Sequence, residues 1–402
     1  IYVKERKNRI MAINLGKRLG FGTLRLPILD PNDQASFDWP QHQAEIDLFL
    51  KHGFTYFDTS YVYHDYQSEV ALRECLVKKY PRDAYLLSTK LPIKFIHKKE
   101  EVESIFYEQL EKMGVDWLDF YLIHSINATA YEDCKKWGVF DFLKEKRAEG
   151  KFREFGVSLH DSPEFLDLIL TEHPEIDFVV LQLNYIDWEN PAIRSREIYE
   201  VAVKHEKPIV VMEACKGGIL ANLPPEAEKL LKDYNPDAST ASWAYRFCAS
   251  LPGVRVVLAG MNKLEYVEDN IKTMENFVPL NDEEYEILKK VVDIVNAATP
   301  IPCTGCKYCE VECPKHIAMS DYFALYNDYA RMQGNNKENT VATQNIYYTN
   351  IIKHGHGAAT DCIKCKKCMK VCPQHLNIPE FLEQVGSTLS SGYNPINDEK
   401  IN

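Results

Sequence analysis

Cysteines form the clearest chemical pattern in this chain, because eight of the twelve fall into two copies of one spacing. Each copy reads C-x2-C-x2-C-x3-C-P, and the positions are Cys303, Cys306, Cys309 and Cys313, then Cys362, Cys365, Cys368 and Cys372. A 4Fe-4S cubane needs four thiolates, and three cysteines at this spacing can wrap one corner of it. The doubled run therefore predicts two 4Fe-4S clusters.

The fourth cysteine of each run is expected to serve the other cluster, as in the bacterial two-cluster arrangement. The two predicted ligand sets are Cys303, Cys306, Cys309 and Cys372 for one cluster, and Cys362, Cys365, Cys368 and Cys313 for the other. Zinc prefers two separated C-x2-C pairs, and a disulfide framework suits small secreted chains. Neither alternative explains a doubled run with proline after each fourth cysteine.

A second set of reactive side chains stands at the ends of three consecutive predicted strands. These are Asp58, Tyr63, Lys90 and His124. Singly, each has an ordinary structural interpretation: a cap, a packed ring, a solvated cation or a satisfied core histidine. Their placement together at strand ends, where the loops of a barrel converge over one mouth, indicates a catalytic site instead.

The elements that would position these residues alternate between short apolar runs and stretches of helical periodicity. The eight predicted strands are Leu19 to Gly22, Thr55 to Asp58, Tyr85 to Thr89, Leu118 to His124, Glu154 to Val157, Phe178 to Leu183, Ile209 to Met212 and Val254 to Leu258. Eight strands interleaved with helices predict an α/β fold of the (β/α)8 TIM barrel type.

A proline-rich break ends the predicted barrel. Asn281 can cap a helix with one apolar stripe, and the sequence Thr299-Pro300-Ile301-Pro302 then interrupts helical structure. We therefore expect a barrel at residues 1–298 and a bacterial-ferredoxin-like two-cluster domain with a C-terminal tail at 299–402. Between the cysteine runs, the polar stretch from Gln333 to Asn339 is expected to be an exposed loop.

Residues 19–27, with the sequence LGFGTLRLP, resemble the opening strand of the aldo-keto reductases. The resemblance extends to the region of Asn270, and that family's tetrad of Asp, Tyr, Lys and His is matched in full at the four positions named above. With the cysteine runs included, the chain resembles the branch of this family that carries a C-terminal ferredoxin-type domain. Together the two resemblances cover nearly the whole chain.

The resemblance implies reduction of a small-molecule carbonyl, or of another polarised double bond, by hydride transfer. Tyr63 would be the general acid, and His124 would position the carbonyl oxygen. Because an opposite charge favours the ionised form of a titratable group, Lys90 is expected to lower the pKa of Tyr63. Asp58 would pair with Lys90 and keep it charged.

The resemblance also implies NADPH or NADH as the cofactor, although the residues that would bind it match the family pattern less well. Its carboxamide contacts map to Ser158 and Gln182, although Leu159 stands where many relatives have asparagine. The loop after strand eight would hold phosphate and adenine through Gly260, Met261, Asn262 and Asn270. The basic group that usually reads a 2′-phosphate is not evident, since Lys263 is the only nearby cation and Tyr266 takes the arginine position. A simple turn and helix cap is the structural alternative.

The pairing of clusters with a nicotinamide leaves the role of the clusters open. A cluster passes single electrons, whereas nicotinamide transfers two together, and a flavin such as FMN is the usual converter between them. The alternatives are therefore structural clusters, a flavin-containing relay enzyme that takes electrons from ferredoxin or flavodoxin, and an electron-transfer subunit. Four basic residues around the second run could dock such a carrier: Lys364, Lys366, Lys367 and Lys370.

Composition limits the other classes of function. A formal net charge of −12 disfavours binding to nucleic acid, because a phosphate backbone requires a basic surface. The apolar runs are strand-sized, so no membrane span is expected. Residues 1–10 lack the apolar core of a secretory signal, and free thiolates need a reducing compartment. We therefore expect a cytoplasmic protein.

Overall fold

The computed structural model describes residues 17–30, 32–297, 300–303, 305–330 and 337–389. Eight parallel strands close into one barrel in sequence order, with β1 pairing with both β2 and β8. The strands are β1 Leu19–Gly22, β2 Tyr56–Asp58, β3 Leu86–Leu91, β4 Leu118–Ile126, β5 Phe152–Leu159, β6 Phe178–Gln182, β7 Ile209–Met212 and β8 Val254–Gly260. The predicted (β/α)8 barrel is confirmed.

Helices surround the barrel and build the C-terminal domain. Around the barrel lie α1 Trp39–Lys51, α2 Ser68–Leu72, α3 Glu100–Met113, α4 Ala128–Trp137, α5 Val139–Ala148, α6 Pro163–Glu172, α7 Ser195–Lys204, α8 Pro225–Tyr234, α9 Thr240–Ser250, α10 Leu264–Glu275 and α11 Asp282–Ala297. The C-terminal domain contains α12 Tyr308–Val311, α13 Met319–Ala330, α14 Lys337–Lys353, α15 Lys367–Val371 and α16 Ile378–Leu389. The predicted cap of α11 is present, since Asn281 Oδ1 accepts from Glu284 N at 2.9 Å.

The barrel lumen has its own apolar cluster, separate from the core between strands and helices. It includes Tyr56, Phe120, Phe178, Val180, Val210 and Val256. Gly156 makes room for this filling, because a Cβ there would lie 2.5 Å from the ring of Phe178. Since side chains alternate along a strand, the lumen-facing register that includes Tyr56, Phe120 and Phe178 also directs Asp58, His124 and Gln182 to the mouth.

The C-terminal domain repeats its backbone geometry at the two cysteine runs. Lys307 and Lys366, each one residue after the second cysteine of its run, both have φ of 60°. His316 and His375, each three residues after the fourth cysteine, have φ of 51° and 52°. Such left-handed residues turn the chain sharply. The two runs therefore adopt one local fold twice.

Helix α14 differs from the sequence-based expectation. Residues Lys337 to Asn339, placed in an exposed loop from the sequence, begin a helix that continues to Lys353, while 333–336 lie outside the described residues. The helix carries few of the apolar repeats that predict an amphipathic helix, and this is why its polar start was interpreted as a loop. Its later residues pack on α13 and the barrel mouth.

An interdomain ion cluster joins the two parts of the chain. Lys216, after β7, donates to Asp328 Oδ2 on α13 at 3.0 Å and also bonds to Asp187, which follows β6. All three side chains are at most 6% exposed. Ile193, from a barrel loop, packs in the core of the C-terminal domain. No helix in the described ranges is both long and apolar enough to cross a membrane.

Candidate active site and cluster sites

A buried ion pair forms the base of the barrel mouth. Lys90 Nζ on β3 lies 2.5 Å from Asp58 Oδ2 at the end of β2, and both side chains are 4% exposed. Lys90 also donates to the carbonyl oxygen of Thr59 at 2.6 Å, and Ser88 Oγ donates to Asp58 Oδ1 at 3.1 Å. These bonds fix the ammonium in one position. The predicted strand ended at Thr89 and left Lys90 after it, whereas in the structure β3 extends to Leu91 and includes Lys90.

Tyr63 lies beside this pair on the loop that follows β2. Lys90 Nζ is 4.9 Å from the centre of the Tyr63 ring. The loop is held by the next residue, His64, whose Nε2 accepts from Leu26 N at 3.0 Å and whose Nδ1 lies 2.9 Å from Gln34 O. His64, Asp65 and Tyr66 all have positive φ, a costly conformation that tertiary contacts must maintain.

His124 completes the group at the end of β4. Its ring centre lies 5.9 Å from that of Tyr63, with the planes at 82°. Burial, and then the charge of Lys90, hold the pKa of His124 well below its ordinary value, so the imidazole is neutral. Ser60 Oγ lies 3.0 Å from Nδ1. When Ser60 donates to Nδ1, the ring proton is on Nε2 and can be donated to a bound oxygen.

The expected lowering of the Tyr63 pKa is corrected by the structure. Burial raises the pKa of Tyr63, and this outweighs the neighbouring Lys90, which lowers it. Burial lowers the pKa of Lys90, but the charge of Asp58 and the hydrogen bonds of the ammonium to Asp58 and Tyr63 together raise it by more, so the net shift is upward. Tyr63 is therefore a neutral phenol beside a charged lysine, and it keeps its proton until it is transferred.

The two predicted carboxamide contacts lie at the mouth and already have protein partners. Ser158 Oγ accepts from Ser125 N at 2.7 Å. Gln182 Nε2 donates to Asp187 Oδ2 at 2.9 Å, and Gln182 Oε1 accepts from the hydroxyl of Tyr347 at 3.2 Å. Tyr347 belongs to α14 of the C-terminal domain. Sequence reasoning did not place any residue of that domain at the mouth.

The corner between β1 and β8 holds the predicted phosphate residues. Gly260 ends β8 opposite Gly22, Met261 is fully buried, Asn262 O accepts from Gln41 Nε2 at 2.9 Å, and Asn270 is 4% exposed. Arg25, which follows β1, lines the same corner: its Cβ lies 3.6 Å from where a Cβ on Gly260 would be.

Arg25 is a cation at this corner that sequence reasoning missed. Its Nε is buried and has no hydrogen-bond partner among the described residues. A buried donor without an acceptor is costly, so this corner fits an anionic group such as a phosphate. By contrast, Lys263 is 56% exposed and lies 3.5 Å from Glu265. The pairing of β1 with β8 could have indicated Arg25, since it brings both following loops together.

The cysteines fit the cross-run arrangement. One pocket is lined by Cys362, Cys365, Cys368 and Cys313, which is one complete predicted ligand set. In the other set, burial raises the pKa of Cys303, and the nearby thiols of Cys306 and Cys372 raise it further. Within the described ranges, no three His, Cys, Asp or Glu side chains are grouped around a point as for a single ion. A cubane is larger and spaces its thiolates further apart.

Comparisons with known proteins agree with this geometry. The model of the aldo/keto reductase family matches residues 18–293, which is more than half of the chain. The chain belongs to the aldo/keto reductase family. A second model, the 4Fe-4S dicluster domain, matches residues 302–377. This member of the family therefore has a barrel that is followed by a 4Fe-4S dicluster domain.

Individual relatives of this aldo/keto reductase are distant. It is 24% identical over 168 residues to aldo-keto reductase AKR2E4 of Bombyx mori, across 40% of this chain and 53% of that protein, so it spans about half the length of this curated relative. Among solved structures it resembles aldo-keto reductase AKR11C1 of Bacillus halodurans, with a TM-score of 0.55, 22% identity, and coverage of 68% and 91% of the two chains. It also resembles an aldo-keto reductase of Klebsiella pneumoniae in complex with NADPH, with a TM-score of 0.53, 18% identity and coverage of 68% and 90%.

Proposed function

We propose that this protein reduces a carbonyl, or another polarised double bond, at the mouth of the barrel with Tyr63 as general acid. The observation that carries the proposal is the buried pair of Lys90 and Asp58 beside a neutral Tyr63. When bound, a reduced nicotinamide supplies the hydride to the carbonyl carbon. Tyr63 donates a proton to the carbonyl oxygen, and the charge on Lys90 stabilises the phenolate that remains.

The other two members of the tetrad act by positioning. Asp58 keeps Lys90 charged and directed at Tyr63, since an isolated buried ammonium would lose its proton. Neutral His124 offers Nε2–H to the same carbonyl oxygen and fixes the direction of attack. Its low pKa means that it does not compete with Tyr63 as the proton donor.

The nucleotide is proposed to extend from the mouth to the corner between β1 and β8. Ser158 and Gln182 would hold the carboxamide, and the anionic groups would meet Arg25 at Gly260. The NADPH complex of the Klebsiella pneumoniae relative supports a nicotinamide cofactor for this fold. Arg25 is half-buried and can offer its buried Nε to a phosphate, whereas Lys263 contributes only an exposed charge.

Replacement of the proton donor tests the function. Tyr63→Phe keeps the ring but removes the hydroxyl, so reduction by NADPH or NADH of a panel of aldehydes and 2-oxo acids is expected to fall about 10²–10⁴-fold, the usual contribution of a general acid. The visible absorbance of the clusters should be unchanged. Tyr61→Phe is the matched control, because Tyr61 donates to Glu108 at 3.0 Å. Normal turnover by Tyr63→Phe would sink the assignment.

A relay that takes electrons from ferredoxin or flavodoxin is the second candidate, and exposure of the cysteines favours it. Cys306 and Cys365 are exposed, and Cys303 lines a groove of about 670 Å³ between the barrel and the cluster domain. When assembled, clusters here could exchange single electrons with a carrier at the surface. Anaerobic purification and cofactor extraction separate the candidates. Bound flavin with ferredoxin-linked cluster reduction supports the relay, whereas NAD(P)H oxidation without cluster bleaching supports the reductase.

A further inference from the structure

Helix α14 of the cluster domain reaches into the barrel mouth through Tyr347. This side chain is 4% exposed, and its hydroxyl lies 3.2 Å from Gln182 Oε1 and 3.3 Å from His160 Nδ1. The rings of Tyr347 and His160 meet edge to face at 5.8 Å and 86°. A residue of the second domain thus contacts a side chain at the end of β6 and another just after β5.

Two further residues hold α14 in this position. Asn350 Nδ2 donates to the carbonyl oxygen of His160 at 2.7 Å, and His354 Nε2 lies 2.8 Å from Asp161 Oδ1. Tyr347, Asn350 and His354 are spaced by three and four residues, so they lie on one side of α14 and of the turn that continues it, with His354 as the first residue after the helix. That side is applied to the loop that follows β5, and it leaves Tyr347 little freedom to move.

The hydrogen bonds of Gln182 leave its amide prepared for one more partner. Asp187 accepts from Nε2 and Tyr347 donates to Oε1, and this pair fixes which end of the amide is nitrogen. An amide nitrogen carries two N–H groups, so the second can be offered to the carbonyl oxygen of a carboxamide. Without the Tyr347 hydroxyl the amide could rotate, and that N–H would lose its direction.

We propose that Tyr347 is a positioning residue of the reductase active site, which holds Gln182 in the orientation that receives the nicotinamide carboxamide. The active site is then built from both domains. This inference rests on the proposed function, because it requires nicotinamide to bind at the mouth.

The same helix connects the mouth to the clusters. Tyr347 and Tyr348 belong to the apolar core that contains Cys309, Cys313 and Cys368. Tyr348 faces inward, where its hydroxyl accepts from Ala359 N at 2.8 Å. Loss of the clusters would loosen this core and with it the position of Tyr347. The clusters would therefore influence nucleotide affinity through packing, without transfer of an electron.

The test compares Tyr347→Phe with Tyr348→Phe in the full chain with its clusters assembled. Dissociation constants are measured by fluorescence for NADH and NADPH, and for ADP-ribose and its 2′-phosphate, which lack nicotinamide. Tyr347→Phe is expected to raise the constants for NADH and NADPH about three- to tenfold, the usual effect of one lost hydrogen bond. The constants for the two ADP-ribose compounds should not change, and Tyr348→Phe should leave all four as they are.

Each other outcome has a defined meaning. If Tyr347→Phe weakens the binding of all four ligands equally, or weakens none of them, the positioning role is overturned while the proposed function stands. Wild-type protein that binds neither NADH nor NADPH overturns both. If Tyr347→Phe does not retain its clusters, Gln182→Met takes its place and should show the same selective loss. Removal of iron by chelation should weaken the binding of NADH and NADPH to the wild type. In Tyr347→Phe it should weaken their binding little further.

Discussion

At the barrel mouth, buried contacts with other protein groups hold the reactive side chains in place. In the cluster domain, by contrast, the cysteines lie on short helices and turns. Lys90 and Asp58 are each 4% exposed and bonded to one another. In the cluster domain, helices of four and five residues carry Cys309 and Cys368, and Cys306 is exposed. A helix that short has little stability of its own. The barrel can therefore build its site before a ligand binds, whereas we expect the two cysteine runs to depend on bound metal for their structure.

Loss of a cluster ligand should produce the largest effect and tests the metal dependence. Cys372→Ser removes the proposed fourth ligand of the cluster held by Cys303, so bound iron should fall by about half. Because the ligand sets cross between runs, adding Cys303→Ser should remove no further iron. Near-complete iron loss in the double variant would contradict the crossing. Cys75→Ser, a buried cysteine of the barrel, is the control and should keep its iron.

Loss of Asp58 tests whether the mouth is held by its ion pair. Asp58→Asn leaves the buried Lys90 without its anionic partner, so the lysine must stay charged at a high desolvation cost or give up its proton, and breaking such a buried pair costs about 3–5 kcal/mol of stability. The barrel transition in thermal unfolding should therefore move to lower temperature while bound iron is unchanged. Glu69→Gln is the control: burial raises the pKa of Glu69 to about 7, so at pH 6 it is already mostly neutral. An equal shift in both variants would refute the importance of the pair.

Removal of Arg25 should have the smallest of these effects and tests the preformed phosphate corner. Arg25→Met deletes a charged donor, and a charge-assisted hydrogen bond contributes about 1.5–3 kcal/mol, so the dissociation constant for NADPH should rise at least tenfold. The value of kcat at saturation should change little. Lys263→Met is the control, since Lys263 is exposed and lies near Glu265. A larger effect of Lys263→Met would place the phosphate on the outer side of the loop.

Much of the barrel follows from local sequence. The strand Leu19–Gly22 and the strand Ile209–Met212 were predicted with their observed limits, because each is a short apolar run bounded by polar residues or turns. Alternation within such strands also places Asp58 and His124 on the lumen side. The cysteine spacing likewise predicts the dicluster domain, since three ligands come from one short loop.

Contacts between distant segments could not be predicted in this way. Arg25 reaches Gly260 only because the closing strands of the barrel pair, 235 residues apart in the chain. Tyr347 reaches Gln182 across 165 residues, from a helix whose polar start resembles a loop. The direction in which the pKa of Tyr63 is shifted also depends on the burial of its side chain, which the spacing of residues in the sequence does not reveal. In each case the missing information is tertiary packing.

The interdomain ion cluster bears on how far this protein can be treated as modular. The two family models meet between residues 293 and 302, near the proposed boundary at 298, and suggest interchangeable parts. Yet Lys216 of the barrel neutralises Asp328 of the cluster domain inside the protein. A barrel cut free of its partner would retain Lys216 with Asp187 but expose Ile193 and an uncovered mouth. Inactivity of such a fragment would therefore reflect the loss of interdomain contacts. A chimera with a foreign barrel or cluster domain would need to include both Lys216 and Asp328.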